Sequence, residues 1–188
     1  IYLTTSDASI LGTVSHYNTA VPVANVEFSA WATDQSWISD ALSNSSGDFT
    51  LAAKQGHTWE VEADYIPAGY FAVLSPTDGY DSIANVYVSG ASATADFVAY
   101  PEEGTINVTV QTEDGSPLPV EGAEVWAVWE GADDPQLNNL ASVHHTGTSG
   151  QADLGLLAGS WRVGTCFNCH TTIPSAPWLL PQALPPSC

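Results

Sequence analysis

One sequence pattern occurs twice in this chain, and its repetition limits what the chain can fold into. The segment from Phe97 to Val110 can be laid over the segment from Ile1 to Val14 at a constant offset and without a gap, which places Tyr100 on Thr4. Each copy is a short alternating strand, a polar turn and a second strand. An internal repeat of about 95 residues predicts two small tandem domains rather than one large domain.

Apolar residues alternate with polar ones along several short segments, a pattern typical of half-buried β-strands. The predicted inward positions of the first repeat are Val26, Phe28 and Ala30, then Phe49, Leu51 and Ala53, then Trp59, Val61 and Ala63. In the second repeat Leu154 matches Leu51, Trp161 matches Trp59 and Val163 matches Val61. Helical periodicity is not sustained anywhere, so we predict an all-β fold with Trp59 and Trp161 at the centres of the two cores.

Several motifs resemble those of the carboxypeptidase regulatory-like, or transthyretin-like, domain family. Asn44-Ser-Ser-Gly-Asp-Phe-Thr-Leu, followed by Gly-His-Thr-Trp-Glu-Val, is similar to Thr148-Ser-Gly-Gln-Ala-Asp-Leu, followed by Gly-Ser-Trp-Arg-Val. Pro22-Val23-Ala-Asn-Val26 and Pro119-Val120-Glu-Gly-Ala-Glu-Val125 resemble the early turn of that family. The resemblance implies two tandem transthyretin-like (prealbumin-like, Ig-like) β-sandwiches that serve as structural or binding modules without catalysis.

The second repeat departs from this pattern at its end. After Trp161 the chain has no counterpart of the closing strand that begins at Phe97, and four prolines in Pro177 to Cys188 oppose a ladder strand there. We therefore expect 5–103 to form a first sandwich and 104–188 to form a second sandwich that lacks its last strand. Residues Ile1, Tyr2, Leu3 and Thr4 are then a surplus strand for the incomplete sandwich of a neighbouring molecule, which predicts a helical homopolymer.

The charge balance excludes some partners. The chain has 21 acidic residues against Lys54 and Arg162 alone, for a formal net charge of −19. Phosphate backbones and anionic membrane surfaces are repelled by such a chain, whereas divalent cations are attracted. The sequence also lacks the run of about 20 apolar residues that a membrane-spanning helix requires.

Other features favour an extracellular location. The chain contains no Met and begins at Ile1, which we interpret as the product of signal-peptide cleavage. Asn44-Ser-Ser46 and Asn107-Val-Thr109 are acceptor triplets for N-linked glycans. We expect both asparagines at the surface, with Asn107 pointing outward because Ile106 and Val108 bracket it.

The cysteines allow a haem site, a structural disulfide, or a redox or metal role. Cys166-Phe-Asn-Cys169-His170 matches the pattern to which c-type haem is attached, with His144 or His145 as the nearest distal ligand. Alternatively, Cys188 forms a structural disulfide with Cys166 or Cys169, which ties down the proline-rich tail in an oxidising compartment.

The remaining candidates are weaker. Asp133-Asp134 and Asp78 with Asp81 lie in predicted loops and suit either weak calcium binding or solvated turns. Trp31, Trp37 and Trp178 are suited to stacking on sugars or to packing in a core or interface. Because no catalytic motif is present, we expect a non-enzyme. The first hypothesis is a filament subunit, and the alternatives are a secreted carbohydrate- or surface-binding module and a mono-haem electron carrier.

Overall fold

The computed structural model describes residues 6–76, 81–113, 117–131, 134, 136–138 and 140–166. Within these residues the chain is all-β, without an α-helix, as the alternating patterns predict. The strands of the first half are β1 (Ala8–His16), β2 (Glu27–Ala32), β3 (Ile38–Leu42), β4 (Asp48–Ala53), β5 (Thr58–Tyr65), β6 (Tyr70–Leu74), β7 (Ile83–Tyr87), β8 (Ser92–Thr94) and β9 (Phe97–Pro101). Those of the second half are β10 (Gly104–Thr109), β11 (Glu124–Trp129), β12 (Ala141–His145), β13 (Gln151–Leu156) and β14 (Trp161–Cys166).

The first half forms a sandwich of two sheets. One sheet has the order β4-β1-β9-β6, with β8 also paired to β1, and the other has the order β3-β2-β5-β7. Strand β1 pairs in parallel with β8 through Ser9–Leu11 and with β9 through Val14–His16. Between these two ladders the Thr13 N–H and hydroxyl both donate to Asp96 Oδ1, at 3.0 and 2.8 Å. The side chain of Asp96 thus replaces ladder bonds where β1 changes partner.

Three phenylalanines fill the middle of this sandwich. Phe28 stacks on Phe49 with ring centroids 4.0 Å apart, and Phe97 lies 4.8 Å from Phe28. Phe49 pairs across the ladder with Gly12, where an added methyl would overlap the Phe49 ring and the Ala95 carbonyl. Glycine at this position therefore provides the room for Phe49. Trp59, only 1% exposed, belongs to the same core.

The second half is smaller within the described residues. Strand β10 pairs with β13, and β11 lies between β12 and β14. Every ladder of the described chain joins strands either within 8–101 or within 104–166. The core of the second half contains Val125, Ala127, Ala152, Leu154 and Leu156.

A buried group of residues joins the two halves, and we call it the junction cluster: Tyr17, Ala72, Leu74, Tyr100, Leu137, Leu140 and Leu157. The hydroxyl of Tyr17 donates to Asp134 Oδ2 at 2.8 Å, and that of Tyr100 donates to the Gln136 carbonyl at 2.6 Å. The Glu103 N–H donates to the Leu156 carbonyl at 3.0 Å. Apolar burial and directed hydrogen bonds together hold the two halves against each other.

Candidate functional site

The two sandwiches can be compared residue by residue, because local hydrogen bonds recur at matching places. The Val14 N–H donates to the Gly47 carbonyl at 2.8 Å, and the Val110 N–H donates to the Gly150 carbonyl at 2.8 Å. The carbonyl of Val14 accepts from Val23 at 3.0 Å, and that of Val110 accepts from Val120 at 3.0 Å. Strand β10 therefore occupies in the second sandwich the place of β1 in the first.

The two tryptophans provide a second point of comparison. Trp59 Nε1 donates to the Lys54 carbonyl at 3.3 Å, and Trp161 Nε1 donates to the Leu157 carbonyl at 2.9 Å. Trp59 pairs with Ala32 across its ladder, as Trp161 pairs with Trp129. The sequence match of Trp161 with Trp59, and hence of Val163 with Val61, thus corresponds to the same place in each sandwich.

Burial differs sharply between these equivalent positions. Ile10, Val14 and Val61 are 0%, 1% and 0% exposed in the first sandwich. Their counterparts in the second are Ile106 and Val110, which are only partly buried, and Val163, which is 38% exposed. The side chains of Ile106, Val110 and Val163 are thus more exposed than their counterparts. We call this less covered apolar strip along β10 and β14 the groove.

In the first sandwich two strands lie beside these positions. Strand β7 lies beside β5 with Ala84 opposite Val61. Strand β9 lies beside β1 with Phe97 opposite Val14 and Ala99 opposite His16, and both side chains are at most 1% exposed. Strand β10 pairs with β13 alone within the described ranges. The groove thus coincides with an edge whose equivalent in the first sandwich carries an added parallel strand.

The residues near the groove are aliphatic where their counterparts in the first sandwich are aromatic. Strand register places Val108 opposite Ala152 where the first sandwich has Gly12 opposite Phe49. The larger side chain of the pair therefore lies on β4 in the first sandwich and on β10 in the second. Val125 is the counterpart of Phe28 by register, so the position of Phe97 in the second sandwich adjoins aliphatic rather than aromatic walls.

The structure confirms that Trp59 belongs to the first core, but it corrects the same expectation for Trp161. Trp161 is half-buried, with its ring edge-on to Phe71 at 5.9 Å and to Trp129 at 5.3 Å. It lies between the core of the second sandwich and the junction cluster. The physical reason is that Val86 of β7 lies opposite Trp59, whereas β14 pairs with β11 alone among the described strands.

Residues predicted to bear ligands are placed only in part. Ile1 to Thr4, Cys169, His170 and Cys188 lie outside the described residues, so donor strand, haem and disulfide stay predictions. Cys166 ends β14 opposite Glu124, and His145 lies opposite Glu124 on the other side of β11. Both His144 and His145 are exposed.

The two glycan acceptors lie at the surface. The Oδ1 atom of Asn44 accepts hydrogen bonds from the N–H groups of Ser46 and Asp48, at 2.8 and 3.1 Å. Asn107 is exposed on β10 and donates to Asp153 Oδ1 at 2.7 Å. Their glycosylation stays a prediction.

The acidic and aromatic candidates have contacts of their own. Asp134 accepts from Tyr17 at the junction, and Asp81 pairs with Ser75 in a short bridge; Asp133, Asp78 and Trp178 lie outside the described residues. Trp31 Nε1 donates to Glu60 Oε2 at 2.6 Å, and Trp37 packs against the first core. Within the described ranges, no three His, Cys, Asp or Glu side chains converge as they would to hold a metal ion.

One carboxyl group on the outer face of β5 is perturbed. Partial burial, and then the nearby carboxylates of Asp64, Asp81 and Glu60, raise the pKa of Glu62. No helix long and apolar enough to span a bilayer occurs in the part of the chain that the structure describes.

Comparison with known proteins leaves the family open. No family model and no curated protein matches the sequence. Among solved structures, the chain is similar to the Bacillus anthracis TIE protein at 18% identity and a TM-score of 0.43, over 86% of this chain and 28% of that one. A streptococcal ancillary pilin matches at 12% identity and a TM-score of 0.41, over 87% and 60%. The minor pilin GBS52 of Streptococcus agalactiae matches at 14% identity and a TM-score of 0.35, over 85% and 83%. The chain thus spans less than two thirds of the first two proteins.

Proposed function

We propose that this protein is a structural subunit of an extracellular filament, and that it polymerises head to tail by donating residues Ile1 to Thr4 to the second sandwich of a neighbouring copy. The observation that carries the proposal is that Ile106 and Val110 on β10 are only partly buried, whereas Ile10 and Val14 on β1, the strand that β9 joins, are at most 1% exposed. The proposal does not depend on the likeness to pilins, because the TM-scores are below 0.5. No catalytic role is proposed.

The repeat specifies the register of the donated strand. Phe97 lies opposite Val14 in the parallel ladder of the first sandwich, and Val98 lies opposite Ser15. The sequence overlay places Ile1 at the position of Phe97, and the recurring hydrogen bonds place Val110 at that of Val14. We therefore propose a parallel ladder with Ile1 opposite Val110 and Leu3 opposite Thr112 of the neighbouring copy.

Burial of the donated side chains supplies part of the driving force. In the first sandwich Phe97 and Ala99 face the core while Val98 is half-buried. Ile1 and Leu3 occupy the two core positions in the proposed complex, and their burial contributes roughly 3–6 kcal/mol. The contact is heterologous, so it continues into a fibre unless the rotation closes a ring.

Deletion of Ile1 to Thr4 tests the proposal. We expect electron microscopy and sedimentation to show fibres for the full chain and none for the shortened chain. A peptide with the sequence Ile-Tyr-Leu-Thr should bind the shortened chain and block its incorporation into fibres of the full chain, whereas a scrambled peptide should not. Equal fibre yield with and without the four residues would contradict the proposal.

A surface substitution provides a test that leaves the N-terminus intact. Val163→Asp places a charge in the groove at a side chain that is 38% exposed, whereas Ile38→Asp does so on the first sandwich at one that is 76% exposed. We expect both variants to fold and only Val163→Asp to lose assembly. If Ile38→Asp were as defective as Val163→Asp, the groove would not be the assembly site.

The disulfide, the glycans at Asn44 and Asn107, and the extracellular location belong to the same proposal. In an oxidising environment the disulfide holds the tail of each subunit in place, and the glycans hydrate the filament surface. The net charge of −19 opposes association with anionic surfaces.

A further inference from the structure

The contact between the two sandwiches within one chain shows how successive sandwiches meet. At this junction Tyr17 and Leu157 are 6% and 7% exposed, and both belong to the junction cluster. They also line a shared cavity of about 270 Å³, so they face the same gap. In a head-to-tail polymer, the corresponding contact between chains brings together the counterparts of these two residues.

The counterpart of Leu157 is Lys54. Trp161 donates its indole N–H to the carbonyl of Leu157 as Trp59 does to that of Lys54. The next residue confirms the match: the Ala158 N–H donates to Glu103 Oε2 at 3.1 Å, and the Gln55 N–H donates to Asp7 Oδ1 at 2.9 Å. Lys54 therefore occupies, at the free end of the first sandwich, the place that Leu157 occupies at the junction.

The counterpart of Tyr17 is Glu113. Tyr17 is three residues beyond Val14, and Glu113 is three residues beyond Val110. The intervening bonds recur, since the His16 N–H donates to the Val21 carbonyl at 2.7 Å and the Thr112 N–H donates to the Leu118 carbonyl at 3.0 Å. Glu113 is exposed at the end of the second sandwich.

We propose that Lys54 of one copy forms an ion pair with Glu113 of the neighbouring copy, and that this pair selects the correct end-to-end contact between subunits. This inference rests on the proposed filament and names the contact that accompanies the donated strand. The apolar pair Tyr17 and Leu157 inside the chain is thus replaced by a charged pair between chains.

The charge distribution supports this pairing. Lys54 is one of only two basic residues in a chain of net charge −19, so a wrongly docked copy places acid against acid. The Lys54 ammonium lies 2.8 Å from Asp7 Oδ2 and 5.9 Å from the Trp37 ring centroid, and its side chain is 31% exposed. An ammonium group has three donors, so Lys54 can bond to a second carboxylate while it retains Asp7.

A difference in loop length supports it further. Residues 130–140 connect β11 to β12 and supply Leu137 and Leu140 to the junction cluster. The matching connection in the first sandwich, residues 33–37, is shorter. The contact between chains therefore lacks those two leucines, and its specificity depends more on charged residues.

Charge exchange tests the pair. Lys54→Glu and Glu113→Lys should each raise the critical concentration for assembly by at least about tenfold, because each sets like charges against each other. The double variant should recover to within about threefold of the original chain. Asp40→Lys is the matched control for Glu113→Lys, since it makes the same change of charge at an exposed residue on β3 of the first sandwich.

Asp7→Asn serves as a second control for the loss of the Lys54 bridge within the chain, and circular dichroism should show that every variant is folded. If the original chain assembles in a manner that depends on Ile1 to Thr4, but Glu113→Lys behaves like Asp40→Lys, only the ion pair is refuted. Failure of the double variant to recover also refutes it. If the original chain does not assemble, the filament proposal and this inference fail together.

Discussion

The phenol of Tyr17 donates a 2.8 Å hydrogen bond to Asp134 Oδ2, and this bond joins residues 117 positions apart across the junction of the two sandwiches. Tyr17 also stacks on Tyr100 with ring centroids 5.0 Å apart. We expect Tyr17→Phe to lower the free energy of unfolding by about 1.5 kcal/mol, because it removes a hydrogen bond to a charged group but keeps the ring. Denaturant unfolding is the measurement, with Tyr65→Phe, exposed by 57%, as the control.

Tyr17 should also make the stability of the protein depend on pH in the alkaline range. Burial, and then the hydrogen bond to Asp134, raise the pKa of Tyr17 above its usual value of 10.0. A raised pKa means that the folded state retains the proton, so this stabilisation is complete below about pH 10 and is lost as the pH rises further. The difference in stability between the original chain and Tyr17→Phe should therefore shrink above about pH 10. A constant difference up to pH 11 would contradict this.

The two equivalent tryptophans should differ in their contribution to stability. Trp59 is 1% exposed, so Trp59→Ala should cost about 3–5 kcal/mol through lost burial and a cavity. Trp161 is half-buried, and we expect Trp161→Ala to cost roughly 2 kcal/mol and to loosen the junction with Phe71. Chemical denaturation of both variants gives the comparison. Equal costs would indicate that the groove is covered in the isolated protein.

The pair Gly12 and Phe49 corresponds to Val108 and Ala152 in the second sandwich. We therefore expect the effects of substituting Gly12 and Phe49 on stability to be coupled. Gly12→Val alone should destabilise by about 1–3 kcal/mol, because the new side chain overlaps the Ala95 carbonyl and the Phe49 ring, of which only the ring is removed by Phe49→Ala. Phe49→Ala alone should cost about 3–5 kcal/mol. The double variant recreates the Val108 and Ala152 arrangement and should cost less than the sum, with a coupling of about 0.5–3 kcal/mol. Simple additivity would show that the two positions do not share one layer.

Glu62 should destabilise the protein at neutral pH. Its pKa is raised first by burial and then by the carboxylates of Asp64, Asp81 and Glu60. The folded state therefore favours the protonated form, and stability falls as the pH rises above about 4.5. Glu62→Gln should raise the melting temperature slightly at pH 7 and have no effect near pH 4. Asp40→Asn, an exposed carboxylate on β3, is the control and should have no comparable effect.

The cysteines can be resolved by peptide mass spectrometry under non-reducing conditions. We expect a disulfide that joins Cys188 to Cys166 or Cys169, with a contribution of roughly 3 kcal/mol from the closed loop. Thioether adducts on both Cys166 and Cys169 would instead establish haem attachment, and would be accompanied by a Soret absorption band.

Sequence alone determined the strands in which side chains alternate, the twofold repeat and the matching of Trp161 with Trp59. These features depend on local chemistry, since period-two alternation and glycine turns act over a few residues. Strand β6 escaped prediction because Tyr70–Leu74 does not alternate, and three of its side chains are buried together. Strands β8 and β12 were also missed, since Ser92–Thr94 and Ala141–His145 are short and mostly exposed.

Only the tertiary structure decided which matched positions are covered. Val61 and Val163 follow the same sequence pattern, yet one is 0% and the other 38% exposed. Tyr17 and Leu157 likewise carry no signal of a junction, because they are buried by residues that are distant in sequence, such as Asp134 for Tyr17 and Leu74 for Leu157. Whether a side chain is buried depends on the side chains that distant segments pack against it. A local sequence pattern shows only that the side chain is apolar and suited to burial.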